Sequence, residues 1–410
     1  MKSGGGNRHW GLVLVLLLCA LPGLTYIRGG PLLEYDVDTP LILQRIDAHG
    51  GLAGSWHWFV SDWPLATHLY RPVTVLSFAV DRVLWGNQAD GYRFTAWLLT
   101  IAANILLAWL MLRICGSELA AALACLLLSS ELWGYDPDFI GSIERIAPLL
   151  CAGAVLLAVL STLQRRAGHA REAALLRAPL LIGSALLASL YLERTTLYTL
   201  SSWIAARTSH LGALFGAVTL LLLLDYTRTE RRRSLLLAFL ACALALASYE
   251  QMVVLPAIAT VWLLLLHRRG SKAALRAALG FWILLAGYIL LRQVIFGLTP
   301  SSYHRMQVHL NWGAAEDWLG YLLPPLQDFD VWQCLPTEGI YALWSPQFWL
   351  CLISLPAYGL VLSLLWSQRR TALLFFSWKA IAFAPMAFLP PYPHYFYFSE
   401  MGSCLLGALL

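Results

Sequence analysis

Charged residues are scarce in this chain of 410 residues: Asp, Glu, Lys and Arg make up 12% of it, whereas hydrophobic residues make up 59%. The mean hydropathy is +0.65, and the apolar residues fall in long runs rather than at the spacing of an amphipathic surface helix. This composition excludes a soluble globular fold and predicts a polytopic membrane protein.

Apolar runs that cross a bilayer as helices contain about 17 to 25 residues. Runs near this length, several of them short, cover residues 10 to 27, 92 to 112, 118 to 132, 146 to 163, 174 to 190, 203 to 224, 234 to 248, 252 to 267, 277 to 295, 346 to 366 and 371 to 390, and a further one begins at residue 402. We therefore expect an all-α fold, a transmembrane helical bundle of about 11 to 12 spans. The whole of residues 1 to 410 would form one integral membrane domain.

The common short motifs of catalysis and metal binding are also missing. The eight cysteines include no CxxC pair and mostly lie inside apolar runs, so the pattern indicates neither a zinc site nor a disulfide framework. We find no Walker loop, no GxSxG elbow, no HExxH and no dinucleotide-binding glycine pattern. Any chemistry must therefore come from scattered polar side chains.

The positions of the basic residues predict an orientation. The N-terminus has the basic head and apolar body of a secretory signal, but no small-residue cleavage pattern follows, which favours an uncleaved first span. With a cytoplasmic N-terminus, most Lys and Arg and few Asp and Glu fall on the cytoplasmic side, as membrane proteins prefer. The net charge of +5 is then a sign of topology and predicts no nucleic-acid partner.

Two segments on the outward side, residues 28 to 91 and 296 to 345, are too long for simple turns and are expected to carry function or extra structure. In the first, apolar residues recur at helical spacing, which predicts a helix lying in the membrane interface, with Trp85 as its anchor. These residues are Val73, Leu76, Val80 and Leu84. Four tryptophans of the two segments are predicted to be interface anchors rather than platforms for a sugar: Trp56, Trp58, Trp63 and Trp332.

Acidic residues cluster in "PLLEYDVDTPLIL", directly after the first span. Glu34, Asp36 and Asp38 would lie outside the membrane, where a carboxylate can be a general base, a metal ligand or a solvated residue. The position in an enlarged outer segment favours function.

Four arginines lie on the same side or at the membrane edge: Arg71, Arg145, Arg194 and Arg207. Arginine is costly in hydrocarbon, so it usually faces a cavity or a partner, and its planar fork suits phosphate oxygens. Snorkelling at the interface is the alternative for each of them. Two further segments could line a cavity or form interfacial turns: "ASYEQMVVLP" contains Glu250, and "PPYPHYFYFSEMG" contains His394, Tyr395, Tyr397 and Glu400.

The ordered set of these motifs resembles the C-type glycosyltransferase superfamily (GT-C). Its nearest likeness is to the O-mannosyltransferase-like branch that in animals carries tetratricopeptide repeats. The similar segments are the acidic cluster, "YRPVTVLSFAVDRVLWG", "WIAARTSHLGALFGAVTLLLL", "LASYEQMVVLP" and "HYFYFSEMGSCLLGALL". The chain departs from the family in having Val37 between its two Asp residues and His394 where the family has Glu and Arg. It also carries no tetratricopeptide repeats.

The resemblance implies transfer of a sugar from a polyprenyl-phosphate donor to a hydroxyl of a protein or glycan on the extracytoplasmic side. Asp38 would be the general base, and Asp36 would support it or bind the acceptor. The lipid phosphate would be bound by basic side chains, for which the candidates are Arg207, Arg145 and Arg71. Further substrate-binding candidates are Tyr70, Glu250 and His394. Neither a cofactor nor a catalytic metal is expected.

Two other classes of protein fit parts of the pattern. A secondary transporter also has many spans with buried Arg and Glu, although it holds them near the midplane rather than at the outer ends. A lipid-linked-glycan flippase or scaffold would tolerate loss of Asp38. For location, the chain fits a bacterial inner membrane with a periplasmic site or an endoplasmic reticulum membrane with a lumenal site. The outer segments lack N-x-S/T, which favours the former.

Overall fold

The computed structural model describes residues 16–17, 37–130, 203–266, 271–297, 308, 314, 318, 321–322, 363, 365–389 and 393–409. Every regular element within these residues is helical, which confirms the all-α prediction for this part of the chain. The helices are α1 (Asp38–Ala48), α2 (Pro72–Trp85), α3 (Ala89–Cys115), α4 (Glu118–Ser130), α5 (Arg207–Thr229), α6 (Arg232–Leu246), α7 (Leu255–Leu266), α8 (Ser271–Phe296), α9 (Arg369–Phe383) and α10 (Tyr397–Gly407).

Four segments of the described residues are long and apolar enough to cross a membrane: Ala89–Cys115, Ile204–Thr229, Lys272–Phe296 and Arg369–Phe388. They coincide with four of the predicted spans. The predicted spans at residues 118 to 132, 234 to 248 and 252 to 267 correspond to the shorter helices α4, α6 and α7. The predicted spans at residues 146 to 163, 174 to 190 and nearly all of 10 to 27 and 346 to 366 lie outside the described residues.

Helices α3 to α10 share one large hydrophobic core. Small residues let them approach closely. A Cβ added at Gly212 of α5 would lie 2.9 Å from Tyr249 Cβ, and one added at Gly216 would lie 2.7 Å from Phe398 Cε2. Because van der Waals packing and small residues bring apolar helices together in a membrane, these glycines explain how α5 lies at the centre of the bundle.

The first predicted outer segment has a core of its own. Helices α1 and α2 pack together with the 3-10 turn Ser55–Phe59, and Ile204 and Ala205, in the 3-10 turn before α5, join the same cluster. Ile42 and Phe78 are completely buried within it. The described part of the segment, residues 37 to 91, is therefore a folded unit rather than an extended loop.

Helix α2 confirms the helix predicted from the spacing of Val73 to Leu84. Val80 and Leu84 are exposed, as a helix at a membrane interface requires, and contact with lipid stays a prediction. Trp85 is half-buried, and its indole N–H donates to Thr95 Oγ1 at 3.1 Å, while its role as an interface anchor stays a prediction. Trp85 fixes α2 to α3.

The two ends of the bundle are distinct. At one end, Arg113 of α3 pairs with Asp225 of α5 at 2.9 Å, next to the turn into α6. At the other end, Thr74 Oγ1 of α2 donates to the carbonyl of Ser248 at 2.9 Å, so the outer segment docks where α6 ends. We call this second end the Arg71 end, because it carries the site described below.

Candidate polar site at the Arg71 end

Arg71 and Glu250 form the centre of the site. Arg71 Nε donates to Glu250 Oε2 at 2.8 Å, and the backbone N–H of Tyr70 donates to Glu250 Oε1 at 2.9 Å. The carboxylate thus uses both oxygens to hold the Tyr70-Arg71 pair in place. Two motifs that lie far apart in the sequence, "YRPV" and "YEQM", meet here.

Two aromatic rings flank the Arg71 guanidinium. Its Cζ lies 5.3 Å from the ring centroid of Trp63 and 5.1 Å from that of Tyr249, both within the range of cation–π attraction. The Arg71 side chain is 15% exposed. Within the described residues the hydrogen bond to Glu250 uses Nε, and none engages the terminal Nη1 and Nη2. The arrangement presents this fork to an anion, since a guanidinium matches two oxygens at once.

The electrostatics keep Arg71 charged. Burial lowers its pKa, but the negative charge of Glu250 and the hydrogen bond to it act more strongly together and raise the pKa above its ordinary value. A permanently charged fork, fixed along one edge and between two rings, loses little freedom when it binds an anion.

His394 lies beside Arg71. Its ring contacts Trp203 with centroids 5.0 Å apart and Tyr395 with centroids 4.3 Å apart. Burial, together with the positive charge of Arg71, lowers the pKa of His394 to about 3. The imidazole is therefore neutral at physiological pH and can both donate and accept hydrogen bonds.

Tyr70 contributes through its backbone. Its hydroxyl donates to the carbonyl of Phe59 at 3.0 Å, and burial raises its pKa. The phenol is thus engaged within the protein, while the backbone N–H of Tyr70 orients Glu250. Its predicted contact with substrate stays a prediction.

Arg207 does not join this site, which corrects the expected grouping with Arg71. It pairs with Asp81 at 2.6 Å, and the two side chains are 0% and 4% exposed. Arg207 Nη2 also donates to the carbonyl of Tyr92 at 3.1 Å, and its Cζ lies 4.5 Å from the ring of Phe78. This ion pair neutralises the buried arginine within the protein, so its charge does not require a lipid phosphate.

The partner Asp81 was missed in the sequence. Burial raises its pKa, while Arg207 and a hydrogen bond from Thr95 oppose that shift. The available signal was an acid on the same helical face as the apolar residues Val75 and Phe78, since a buried acid needs a partner.

Asp38 opens helix α1, where a negative side chain is favourable beside the helix N-terminus. It is half-buried, and α1 packs against the turn Ile204–Ala206. Trp203, the residue before that turn, contacts His394. Asp38 is thus part of the unit that borders the site. Other predicted members lie outside the described residues: Glu34, Asp36, Arg145 and Arg194.

The tryptophans of the first segment were partly misassigned. Trp58 and Trp63 are buried, so they are not interface anchors, whereas Trp56 is exposed. Trp63 reaches the site as a platform for Arg71. Trp332 lies outside the described residues.

Glu400 belongs to a second polar cluster, inside the bundle. Tyr321 Oη lies 2.6 Å from Glu400 Oε1 and 2.8 Å from Ser399 Oγ. The ammonium of Lys379 lies 4.5 Å from the centroid of the Tyr321 ring. Tyr321 comes from the second predicted outer segment, so part of that segment packs into the bundle beside α9 and α10.

The described residues contain no group of three or more His, Cys, Asp or Glu side chains placed to hold a metal ion. A comparison of the chain with protein-family models, curated proteins and solved structures found no match. The fold and the site define a helical protein with several helices suited to a membrane and an arginine-centred polar site at one end of the bundle. The GT-C resemblance therefore rests on the motifs quoted above.

Proposed function

We propose that this chain is a membrane glycosyltransferase that moves a sugar from a polyprenyl-phosphate donor to a hydroxyl of a protein or glycan acceptor. The observation that supports this most is the Arg71 fork, held by Glu250 and flanked by Trp63 and Tyr249. The proposal includes a GT-C-like bundle of about 11 to 12 spans. In this proposal the active site faces the periplasm of a bacterial inner membrane, or alternatively the lumen of the endoplasmic reticulum.

The chemistry follows from the charges that develop in the reaction. The acceptor oxygen forms a bond to the anomeric carbon as the bond to the phosphate oxygen breaks. Asp38 takes the acceptor proton, with Asp36 in support. The leaving polyprenyl phosphate gains negative charge, which Arg71 neutralises from a position fixed before the reaction.

His394 and Glu250 have supporting roles. We place neutral His394 against the sugar next to the phosphate, because its ring lies beside Arg71. Glu250 aligns the guanidinium and leaves its terminal nitrogens for the donor. We assign Arg207 a structural role, and Arg145 stays a candidate for the lipid phosphate.

The direct test compares the glycans of cells that carry the wild type, Asp38→Asn, Asp36→Asn or no functional copy. We expect loss of a glycan in the cells without a copy and in Asp38→Asn, together with accumulation of its lipid-linked donor. Arg45→Gln is a matched control because Arg45 is exposed on the same helix as Asp38. Unchanged glycans in both aspartate variants, with the proteins folded and present in the membrane, would contradict an enzymatic function.

Transport is the second candidate, favoured by the buried Lys379 and Glu400 inside the bundle. Ionisable residues at such depth often mark an ion or substrate path. A transporter would keep its function in Asp38→Asn and lose it in Glu400→Gln. Cells that carry Glu400→Gln, added to the set above, therefore separate the two functions.

A further inference from the structure

The end of the bundle opposite Arg71 carries a dense group of exposed basic side chains, here called the basic end. Its members are Arg231, Arg232, Arg233, Lys272, Arg276, Arg369 and Arg370. They lie just before or within the first two turns of helices α6, α8 and α9. The first turns of these helices contain no acidic residue.

Packing brings these three helix starts to the same end. Ser234 Oγ of α6 donates to Asp225 Oδ2 at 2.6 Å, close to the end of α5. Phe239 of α6 and Phe281 of α8 pack with ring centroids 4.7 Å apart. Trp262, near the end of α7, donates to the carbonyl of Leu374 in α9 at 3.1 Å. The basic side chains are thus parts of one surface.

The basic end keeps an excess of positive charge. Asp225 is already engaged by Arg113 and Ser234, and Arg228 binds the carbonyl of Arg113. A helix start also carries a partial positive charge, which an acidic side chain usually offsets. Here arginine and lysine occupy that position in three helices, and they outnumber the nearby acidic residues Asp225 and Glu230, so anions from outside the chain would reduce their repulsion.

An apolar belt adjoins the basic end. Leu236 and Leu240 of α6 are 65% and 56% exposed, and Leu275 and Leu279 of α8 are 51% and 56% exposed. On α9, Leu373 is half exposed. Arginines that border exposed leucines fit a ligand with a phosphate at one end and hydrocarbon at the other, whereas a soluble anion would use only the basic side chains.

We propose that the basic end binds the headgroups of anionic phospholipids, with their acyl chains against the leucine belt. This binding does not depend on the transferase function proposed above, because the two surfaces lie at opposite ends of the bundle. Its role is to stabilise the packing of α6, α8 and α9 by neutralising their crowded positive starts.

The test is thermal unfolding of the full-length protein in a neutral detergent, titrated with phosphatidylglycerol or phosphatidylcholine. We expect phosphatidylglycerol to raise Tm in a saturable way and phosphatidylcholine to leave it nearly unchanged. Removal of one charge in Arg233→Gln should raise the half-saturating concentration of phosphatidylglycerol about fivefold. The double variant Arg232→Gln with Arg233→Gln should raise it about 25-fold. These side chains are exposed and their removal also reduces the repulsion at the basic end, so the Tm without lipid should equal or exceed that of the wild type.

The matched control is Arg45→Gln, which removes one exposed arginine at the Arg71 end. It should bind phosphatidylglycerol as the wild type does. Three results would overturn the proposal: an equal rise in Tm with both lipids, an equal loss in Arg45→Gln and Arg233→Gln, or a full rise with inorganic phosphate alone. The last would indicate a soluble anion.

Discussion

Arg207 and Asp81 form an ion pair at 2.6 Å that is almost completely shielded from solvent. The pair joins the start of the central helix α5 to α2 of the first outer segment. A hydrogen bond from Arg207 to the carbonyl of Tyr92 adds α3 to the same junction. Three helices are therefore fixed at one point, directly after the 3-10 turn Ile204–Ala206.

Asp81→Ala should strongly destabilise the protein, because it leaves the buried Arg207 charge without a partner. We expect a loss of about 3 to 5 kcal/mol in the free energy of unfolding. Asp90→Ala is the control, since Asp90 forms an ion pair with Arg93 but is 59% exposed, and such pairs contribute about 0 to 1 kcal/mol. Chemical unfolding in detergent measures both, and equal losses would contradict a buried structural pair.

Arg71→Lys should abolish most of the transferase activity while the fold persists. Lysine keeps the charge but lacks the planar fork that Glu250 orients. Loss of one preorganised charge contact in a transition state costs about 100- to 1,000-fold in kcat. The measurement is the initial rate of polyprenyl phosphate release by membranes that contain equal amounts of protein. Arg45→Gln is again the control, and a wild-type rate in Arg71→Lys would remove Arg71 from the mechanism.

His394 should make the protein less stable in acid. Its pKa is about 3 in the folded state and about 6.5 when unfolded, so the unfolded chain binds more protons between these values. Stability therefore rises with pH across this window and falls as the pH drops below about 6.5.

At pH 5 the expected loss from His394 is up to about 2 kcal/mol relative to neutral pH. His394→Gln keeps a polar side chain that does not titrate, so this part of the acid destabilisation should disappear. The check is the free energy of unfolding of both proteins at pH 7 and pH 5. Identical losses would show that His394 is not held neutral by its surroundings.

Gly212→Ala should disturb the Arg71 site from a distance. The added Cβ would lie 2.9 Å from Tyr249 Cβ, which forces Tyr249 or α5 to move. Because Tyr249 flanks Arg71, the activity should fall together with stability.

Gly287→Ala is the matched control for this prediction, since no atom lies within 4 Å of its added Cβ. There the substitution should be neutral or stabilise α8 by up to about 1 kcal/mol. Transfer rate and Tm are measured for both variants. Full activity in Gly212→Ala would show that the position of Tyr249 does not control Arg71.

Hydropathy by itself indicated an all-α membrane protein and the positions along the chain of many of its helices. The runs at residues 92 to 112 and 203 to 224 correspond to α3 and α5, and the spacing from Val73 to Leu84 corresponds to α2. These features depend on local composition and periodicity, which a helix reflects directly. The sequence also identified Arg71, Glu250 and His394 as candidate binding residues.

Only the tertiary structure decided how the polar residues combine. Arg71 and Glu250 meet although 179 positions separate them, and Arg207 finds Asp81 rather than the shared site. Trp63 becomes a platform for Arg71 instead of an anchor in the interface. Pairing of buried charges depends on which helices pack together, and packing follows from contacts across the whole bundle rather than from any short stretch of sequence.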